Sequence, residues 1–218
     1  MKCIAFSGQK RYGKDVCSDY LAEKIGWERT AFANNVKQIF MDAFGVDSKF
    51  IEKWKVTDEI PPGFDMDIRN GLRFIGNGFR QIVSSIWIDL IFRKMKKPSI
   101  ISDTRYVNEL KATRENGGIN VLLYREGYLN FDECGSESQI RPFVEWMIAQ
   151  DPKKMEGVGP FEDSNFPEIS LIDVFIYNDG TLDDLYEKID KIVLPYVEHK
   201  FGEQKCQKNR QLKILFPN

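Results

Sequence analysis

The residues from Gly8 to Asp15 have the types and the spacing of a loop that binds phosphate. Gly8 and Gly13 bound the segment, and Lys14 and Asp15 follow in the pattern G-x-x-x-x-G-K-D. Because glycine reaches positive φ at little cost, the backbone can turn and aim successive N–H groups at one phosphate. At this spacing the Lys14 ammonium reaches the β- and γ-phosphates of a nucleotide, and a helix that begins here adds its partial positive charge. The segment therefore predicts a nucleotide-phosphate site rather than an ordinary strand-to-helix turn with an exposed lysine.

Asp15 occupies the position at which strict phosphate loops have Ser or Thr. There a hydroxyl group binds Mg²⁺, and a carboxylate can bind either the metal or a metal-bound water instead. The substitution adds a negative charge close to the nucleotide. We therefore predict that Asp15 acts on the metal side of the site.

Composition and charge exclude several classes of function. The chain has 218 residues, 42% of them hydrophobic, which suits one folded domain, and its formal charge of −2 gives no global field toward nucleic acid, although a local basic groove stays open. His199 is the only histidine and is expected on the surface near a helix end, so Ser-His-Asp hydrolysis, Cys-His proteolysis and histidine-rich zinc sites lack their parts. No signal peptide or apolar run of membrane length occurs, and no Cys-x-x-Cys pair is present. The scattered cysteines, which favour a reducing compartment, are Cys3, Cys17, Cys134 and Cys206.

Apolar runs alternate with amphipathic stretches, which predicts the elements that position these residues. Because strands and helices alternate, we expect a parallel sheet wrapped by helices, with ligands at the carboxyl ends of the strands, where the Gly8 loop and Asp103 fall. Residues 48–65 are poor in periodicity and contain Pro61-Pro62-Gly63, so we expect a mobile connection there. The predicted strands are 2–7, 28–32, 98–103, 119–126 and 171–178, and the predicted helices are 14–25, 31–45, 67–84, 86–96, 106–116 and 181–197.

A long insertion separates two of the predicted sheet strands. It covers residues 127–167, with one helix at about 138–149 and a remainder rich in Gly and Pro. Long insertions at this edge of a sheet are often lids. We therefore predict a single domain over residues 1–218 with a lid-like insertion. The basic residues of the C-terminal segment, which we expect to be solvated, are Lys205, Lys208, Arg210 and Lys213.

Several blocks along the chain resemble those of one family. In order and spacing they resemble the deoxynucleoside monophosphate kinases of bacteriophages and their relatives among the nucleotide kinases with a phosphate loop. The resemblance implies a three-layer α/β/α P-loop kinase fold with a parallel central sheet. It also implies ATP- and Mg²⁺-dependent conversion of a deoxynucleoside 5′-monophosphate to its diphosphate, in a cytoplasm that is the host's if the chain is phage-encoded. The blocks are Ser7-Gly8 to Lys14-Asp15, Phe32-Ala33-x-x-x-Lys37, Arg69 to Gly76 with Arg80 and Trp87, Ser102-Asp103-Thr104-Arg105 with Asn108-Glu109, and Asn178-Asp179-Gly180-Thr181-Leu182.

The resemblance implies a set of residues for ATP, for the metal and for catalysis. Lys14, Arg11, Asp103 and Arg105 are the expected catalytic residues, since phosphoryl transfer needs positioning and charge neutralisation more than covalent help. Asp15 and Asp103 are the expected metal-side carboxylates, although Asp103 also suits the cap of the helix that follows it. The residues expected to bind ATP are Gly8, Lys10, Arg11, Gly13, Lys14, Asp15 and Val16.

A second set is implied for the acceptor nucleotide. Guanidinium groups suit bidentate contacts to phosphate, and Trp87 offers a face for the base or sugar. The alternatives are solvated helix arginines for Arg69 and Arg80, and core packing for Trp87. Arg73 and Asn77 stand where relatives have glutamine and threonine, which leaves the accepted base open. The acceptor set is Lys37, Arg69, Arg73, Gly76, Asn77, Arg80, Trp87, Asp103, Arg105 and Glu109.

Two other functions are consistent with the same residues. One is a kinase of a hydroxymethylated pyrimidine base, in DNA or as a nucleotide, and the other is a nucleotide-binding module without turnover. A DNA substrate would need an extended basic track with stacking aromatic residues, whereas the Lys and Arg residues outside the site are interleaved with acids. The expected partner is therefore a free deoxynucleoside monophosphate, with no membrane and with a homodimer left open.

Overall fold

The structure, a computed structural model, describes residues 2–128 and 138–202. They form two compact units. The first combines the chain up to Thr30 with the chain from Lys97 onward, and the second spans Ala31–Lys96. A single domain over residues 1–218 stays a prediction.

The first unit is built on a six-stranded sheet with the strand order β2-β3-β1-β4-β6-β5. The pairs β2-β3, β3-β1, β1-β4 and β4-β6 are parallel, as the alternation of strands and helices predicts. The edge strand β5 is antiparallel to β6 and was not predicted. The strands are β1 Cys3–Ser7, β2 Glu28–Thr30, β3 Ser99–Thr104, β4 Ile119–Tyr124, β5 Gly157–Val158 and β6 Val174–Tyr177.

Helices cover the sheet on both faces, which confirms the predicted three-layer α/β/α class. Every residue of β1, β4 and β6 is buried, as near-continuous apolar runs require when a parallel sheet is covered on both sides. The predicted helix at 181–197 begins at Leu182 and continues, through a π-helical segment Ile189–Val193, to Phe201. His199 is exposed in this last stretch, as expected. The helices of the first unit are α1 Lys14–Ile25, α6 Val107–Glu115, α7 Arg141–Ala149, α8 Pro152–Met155, α9 Leu182–Lys188 and α10 Leu194–Phe201.

The second unit is helical and has its own small core. Phe40, Ile51 and Ile68 are buried together at its centre. The expectation of a mobile connection at 48–65 is wrong for Ser48–Trp54, which forms a helix. The Asp47 carboxylate caps this helix by accepting a hydrogen bond from the Phe50 N–H at 2.8 Å. The helices are α2 Phe32–Phe44, α3 Ser48–Trp54, α4 Ile68–Ile82 and α5 Ile86–Lys94.

Part of the 127–167 insertion belongs to the core of the first unit. The predicted helix near 138–149 is present as α7, and its Phe143 and Met147 are buried against the main cluster of apolar side chains. The remainder contributes α8 and the edge strand β5, neither of which was predicted. A lid function stays a prediction. Residues 129–137 and the basic C-terminal segment, with Cys134 and Cys206, lie outside the described residues.

None of the helices described here has both the length and the apolar composition that crossing a membrane requires.

Candidate active site

Two glycines allow the turn between β1 and α1. Gly8 has φ of 134°, and a Cβ atom there would lie 2.5 Å from the carbonyl oxygen of Leu123. Gly13 has φ of 99° and stands at the N-cap position of α1. A side chain at Gly8 would collide with a neighbouring strand, and both positions have backbone angles that L-residues rarely adopt. The loop geometry therefore requires glycine at both ends.

The loop is held from inside by Tyr12, which is fully buried. The Tyr12 hydroxyl donates to the side-chain carbonyl of Gln9 at 2.9 Å, and the Asn178 amide donates to the Tyr12 carbonyl at 3.1 Å. Arg11, at the tip, has φ of 68°, a left-handed conformation that is uncommon outside glycine. These contacts fix the curvature of the loop against the sheet.

Lys14 crosses the mouth of this loop. Its Nζ atom donates to the carbonyl oxygen of Gln9 at 2.7 Å, and the residue is 6% exposed. Ser18, one turn further along α1, donates to the Lys14 carbonyl at 2.7 Å. The ammonium therefore lies at the start of α1, where the helix dipole and the loop N–H groups also favour an anion.

A cavity of about 620 Å³ opens beside the loop. Five of the residues predicted to bind ATP line it, and Lys10 and Gly8 belong to the same loop. The remaining lining residues come from the segments that follow β4 and β6, as expected for ligand sites at the carboxyl ends of parallel strands. The lining consists of Arg11, Gly13, Lys14, Asp15, Val16, Arg125, Tyr128, Asn178, Gly180, Thr181, Leu182 and Leu185.

The far side of the cavity was missed by the predicted site set. Arg125 lies over the ring of Tyr128, with 4.7 Å between its guanidinium carbon and the ring centroid. In the lining segment that follows β6, Thr181 caps α9 and Leu182 is half exposed. The predicted strands could have indicated these residues, because they follow the carboxyl ends of β4 and β6 as Lys14 follows that of β1. A cationic aromatic pair next to apolar side chains suits a flat heteroaromatic ring.

Asp15 lies at the cavity with its side chain 76% exposed, and it forms an ion pair with Arg29. Among residues 2–128 and 138–202 no group of three or more His, Cys, Asp or Glu side chains is arranged to hold a metal. Mg²⁺ seldom needs such a cage, since it binds one or two carboxylates together with substrate phosphates and water. The oxygen donor of Asp15, next to the Lys14 loop, fits that mode of binding.

Asp103 and Arg105 lie at the carboxyl end of β3, next to the strand that leads into the phosphate loop. Thr104 is paired in register with Ser7, the last residue before the loop, and Asp103 and Arg105 flank it. Asp103 is not the N-cap of α6, because Tyr106 holds that position. The strand end therefore places one carboxylate and one guanidinium residue at the side of the loop.

Glu109 has a structural contact that the sequence did not indicate. It is 2% exposed, and its carboxylate accepts hydrogen bonds from the backbone N–H groups of Arg105 at 2.9 Å and Tyr106 at 3.1 Å. It thus fixes the turn that carries Arg105, in the manner of a capping box. Glu109, which the resemblance assigns to the acceptor, therefore holds the Arg105 backbone.

The other predicted acceptor residues lie in the second unit. Lys37 donates to Glu52 at 2.9 Å, and hydrogen bonds from Lys37 and Lys55 lower the pKa of Glu52 below its ordinary value. Trp87 is 1% exposed and donates from Nε1 to the Gly76 carbonyl at 3.0 Å, so the structure gives it core packing rather than an exposed face. The sequence could not show either contact.

One face of α4 carries the remaining cations. Residues four, seven and eleven positions apart share a side of a helix, so Arg69, Arg73, Gly76 and Arg80 lie along one stripe. Arg69 donates to the Lys55 carbonyl at 3.4 Å, Arg73 donates to Asn70 at 3.4 Å, and Asn77 is exposed beside them. The stripe brings the predicted α4 residues together within the second unit.

Residues 2–92 match the deoxynucleotide monophosphate kinase family. The match confirms the resemblance predicted from the sequence and covers the phosphate loop, α2 and α4. It supports a kinase-type transferase that binds nucleotides.

A viral relative agrees with the family match. The chain is 25% identical over 167 residues to a protein of Acanthamoeba polyphaga mimivirus provisionally named a deoxynucleotide monophosphate kinase. The alignment covers 68% of this chain and 86% of the relative.

Solved structures of small-molecule kinases are also similar. A dephospho-CoA kinase from Campylobacter jejuni is 14% identical, with coverage of 91% of this chain and 99% of its own and a TM-score of 0.43. A shikimate kinase from Acinetobacter baumannii is 16% identical, with coverage of 89% and 93% and a TM-score of 0.44. The fold assignment rests on the strand order and the loop geometry described above.

Proposed function

We propose that this protein transfers the γ-phosphoryl group of ATP, with Mg²⁺, to the 5′-phosphate of a deoxynucleoside monophosphate, giving the diphosphate. The observation that carries the proposal is the position of Lys14. Its buried ammonium lies at the mouth of a loop bounded by two glycines in positive-φ conformations, beside a cavity of about 620 Å³. This arrangement suits a polyphosphate, and the matched family acts on deoxynucleotide monophosphates.

The cavity suits the donor nucleotide in size and in lining. Ligand pockets have volumes of about 300–1,000 Å³, so a nucleotide is compatible with this one. We place the phosphates at the loop, where Lys14 and Arg11 supply positive charge. The base would then lie at the other end, near Arg125, Tyr128 and Leu182. Asn178 lines the cavity, and its side-chain amide also donates a hydrogen bond to the Tyr12 carbonyl of the loop.

Asp15 and Asp103 are the residues that would hold the metal on the protein side. Bound Mg²⁺ neutralises charge on the β- and γ-phosphates and on the oxygens that develop charge during transfer. Both carboxylates are oxygen donors of the kind that Mg²⁺ prefers, directly or through water.

Each unit contains cationic residues that we propose for binding the acceptor nucleotide. Arg105 leaves β3 beside the loop, and its backbone is held by Glu109. Arg69, Arg73 and Arg80 form the stripe on α4, with Lys37 on α2 of the same unit. A mononucleotide phosphate carries two negative charges and must approach another highly charged group, so several cations are needed. Arg105 is the residue that we assign to the acceptor phosphate and to the charge of the transition state.

Phosphoryl transfer requires little covalent chemistry from the protein. The acceptor phosphate oxygen attacks the γ-phosphorus in line, and the bond from that phosphorus to the β,γ-bridging oxygen breaks to release ADP. Lys14 holds the β- and γ-oxygens throughout, and Arg11 and Arg105 stabilise the charge spread over the transferring group. The residues therefore act by position and charge.

The test is a panel of acceptors incubated with ATP labelled on the γ-phosphate. The panel contains the deoxynucleoside monophosphates, a hydroxymethylated pyrimidine deoxynucleotide, and an oligonucleotide that contains the same base. We expect labelled diphosphates from mononucleotides, with Mg²⁺ required. Label on the base hydroxyl alone would favour the base kinase, and ATP binding without transfer to any acceptor would favour the module without turnover.

A further inference from the structure

Arg29, which the predicted site set does not contain, connects three acceptors near the phosphate loop. Its guanidinium donates to the carboxylate of Asp15, to Asp19 at 2.7 Å and to the Ser102 hydroxyl at 3.2 Å. The Arg29 side chain is 34% exposed, whereas Asp15 is 76% and Asp19 is 60% exposed. The guanidinium is therefore the most sheltered charge of this group.

The contacts join two elements of the proposed site. Asp15 and Asp19 lie one turn apart on α1, the helix that begins at the phosphate loop. Ser102 is 2% exposed on β3 and immediately precedes Asp103, the other predicted metal-side residue. Ser102 also donates to the Thr30 carbonyl at 3.4 Å, which fixes its hydroxyl as an acceptor toward Arg29. The start of α1 is thus tied to the end of β3.

We propose that Arg29 is a positioning residue for the divalent metal, acting through Asp15. This inference rests on the proposed function. The guanidinium donates to Oδ1 of Asp15, so Oδ2 is the oxygen that we assign to the metal or to a metal-bound water. Partners of this kind, which orient a ligating carboxylate from outside, set the affinity of metal sites.

The net charge of Asp15, Asp19 and Arg29 favours a positioning role for Arg29 over competition with the metal for Asp15. A cation that simply neutralised Asp15 would lower the affinity of the site for Mg²⁺. Arg29 is shared with Asp19, so the two carboxylates and the guanidinium together keep one negative charge. Because Asp19 and Ser102 anchor the guanidinium, Asp15 is oriented without losing the charge that attracts a metal.

The experiment measures Mn²⁺ binding to the full chain in the presence of ADP, from the paramagnetic resonance signal of free Mn²⁺. Arg29→Gln removes the charge and the guanidinium that makes the three contacts, and Arg29→Lys keeps the charge. Arg93→Gln, on the exposed side of α5, is the matched control. ADP affinity in the presence of EDTA is measured for each variant, because a structural defect would change it and a loss of metal positioning would not.

We expect Arg29→Gln to weaken Mn²⁺ binding by about ten- to a hundredfold, with partial recovery in Arg29→Lys and no change in Arg93→Gln. In an Asp15→Asn background the same change should have no further effect. Unchanged or tighter Mn²⁺ binding in Arg29→Gln would overturn the inference while leaving the proposed function intact, and so would an equal loss of ADP affinity in EDTA. Absence of any metal-dependent ADP binding in the wild type would overturn the proposed function and this inference with it.

Discussion

The Nζ atom of Lys14 lies 2.7 Å from the carbonyl oxygen of Gln9, so the residue that follows the phosphate loop contacts the backbone near its start. An ammonium has three donors, and one of them makes this bond within the loop. The loop itself therefore holds the charge at its mouth before any ligand arrives. A charge placed in advance needs little reorganisation during transfer, which is the condition under which electrostatic stabilisation is strongest.

Replacing Lys14 by alanine should abolish transfer without unfolding the chain. The β- and γ-phosphates would lose their matched charge in the transition state, so we expect kcat/KM to fall by about a hundredfold or more. Steady-state kinetics with circular dichroism of both proteins is the check. Lys111→Ala, an exposed lysine on α6, serves as control and should keep full activity. Normal turnover in Lys14→Ala would refute the assignment of the donor site.

Gly8→Ala should damage the loop, whereas Gly78→Ala on α4 should be harmless. At Gly8 the new Cβ meets the Leu123 carbonyl at 2.5 Å in a backbone of positive φ, but at Gly78 it meets open space. We expect Gly8→Ala to lower both ATP affinity and thermal stability. Gly78→Ala should raise the free energy of unfolding by about 0.5–1 kcal/mol, because alanine has the higher helix propensity. Calorimetric melting and ATP titration compare the two. Equal behaviour of both variants would contradict the loop geometry.

Removing the Arg105 side chain should affect the acceptor and not the donor. We expect Arg105→Ala to raise the acceptor KM and lower kcat together, since the guanidinium is assigned to both the ground state and the transition state. ATP affinity, measured without acceptor, should hardly change. Arg93→Ala controls for the loss of an arginine. An increase in ATP dissociation constant alone would move Arg105 to the donor site.

Arg125 and Tyr128 should contribute to the donor base. A guanidinium against an aromatic base contributes about 0.5–2 kcal/mol to binding, so loss of the proposed contact between Arg125 and the donor base should raise the ATP KM by roughly two- to thirtyfold in Arg125→Ala. Tyr128→Phe keeps the ring and should bind ATP almost normally. Competition between ATP and other nucleoside triphosphates reports whether base preference weakens in Arg125→Ala. Identical KM values in wild type and Arg125→Ala would place the base elsewhere.

The ion pair between Asp179 and Lys188 should make stability depend on acid pH. The hydrogen bond from Lys188, at 2.7 Å, lowers the pKa of Asp179 below its ordinary value of 3.8. A lowered pKa means that the unfolded chain binds the proton more readily, so the stabilisation is full above pH 3.8 and is lost as pH falls through the folded value.

Asp179→Asn should therefore lower the melting temperature at pH 7 and have a smaller effect near pH 3. Partly exposed pairs contribute at most about 1 kcal/mol, which corresponds to a shift of about 2–4 °C for a chain of this size. Melting curves at both pH values test this, with the exposed Asp58→Asn as control. A destabilisation that is the same at both pH values would exclude the ionised pair as its cause.

Local patterns were enough to predict the loop and most elements. The glycines, Lys14 and the helix from Lys14 to Ile25 are adjacent in sequence, and their geometry follows from neighbouring residues. The helix Ser48–Trp54 was missed because its stability comes from the Asp47 cap and from burial of Ile51 by other helices. Periodicity over seven residues is too short to show it.

Contacts between distant residues explain the other differences. The sequence did not indicate that Lys37, a predicted acceptor residue, donates to Glu52, fifteen positions later and on another helix. Arg29 was missed because its importance arises only when β2 pairs with β3 and brings it to Ser102. No spacing rule in a single sequence reports such pairings.

The two-residue strand Gly157–Val158 has a consequence for the handling of this protein. A strand at the edge of a sheet offers unpaired N–H and C=O groups to other chains, and very short edge strands reduce that hazard. The insertion thus protects β6 from pairing with a neighbouring molecule. An engineered chain in which residues 127–167 are replaced by a short linker would expose the edge of β6 and the apolar surface under α7, and it would be prone to aggregate during expression even if the phosphate loop were intact.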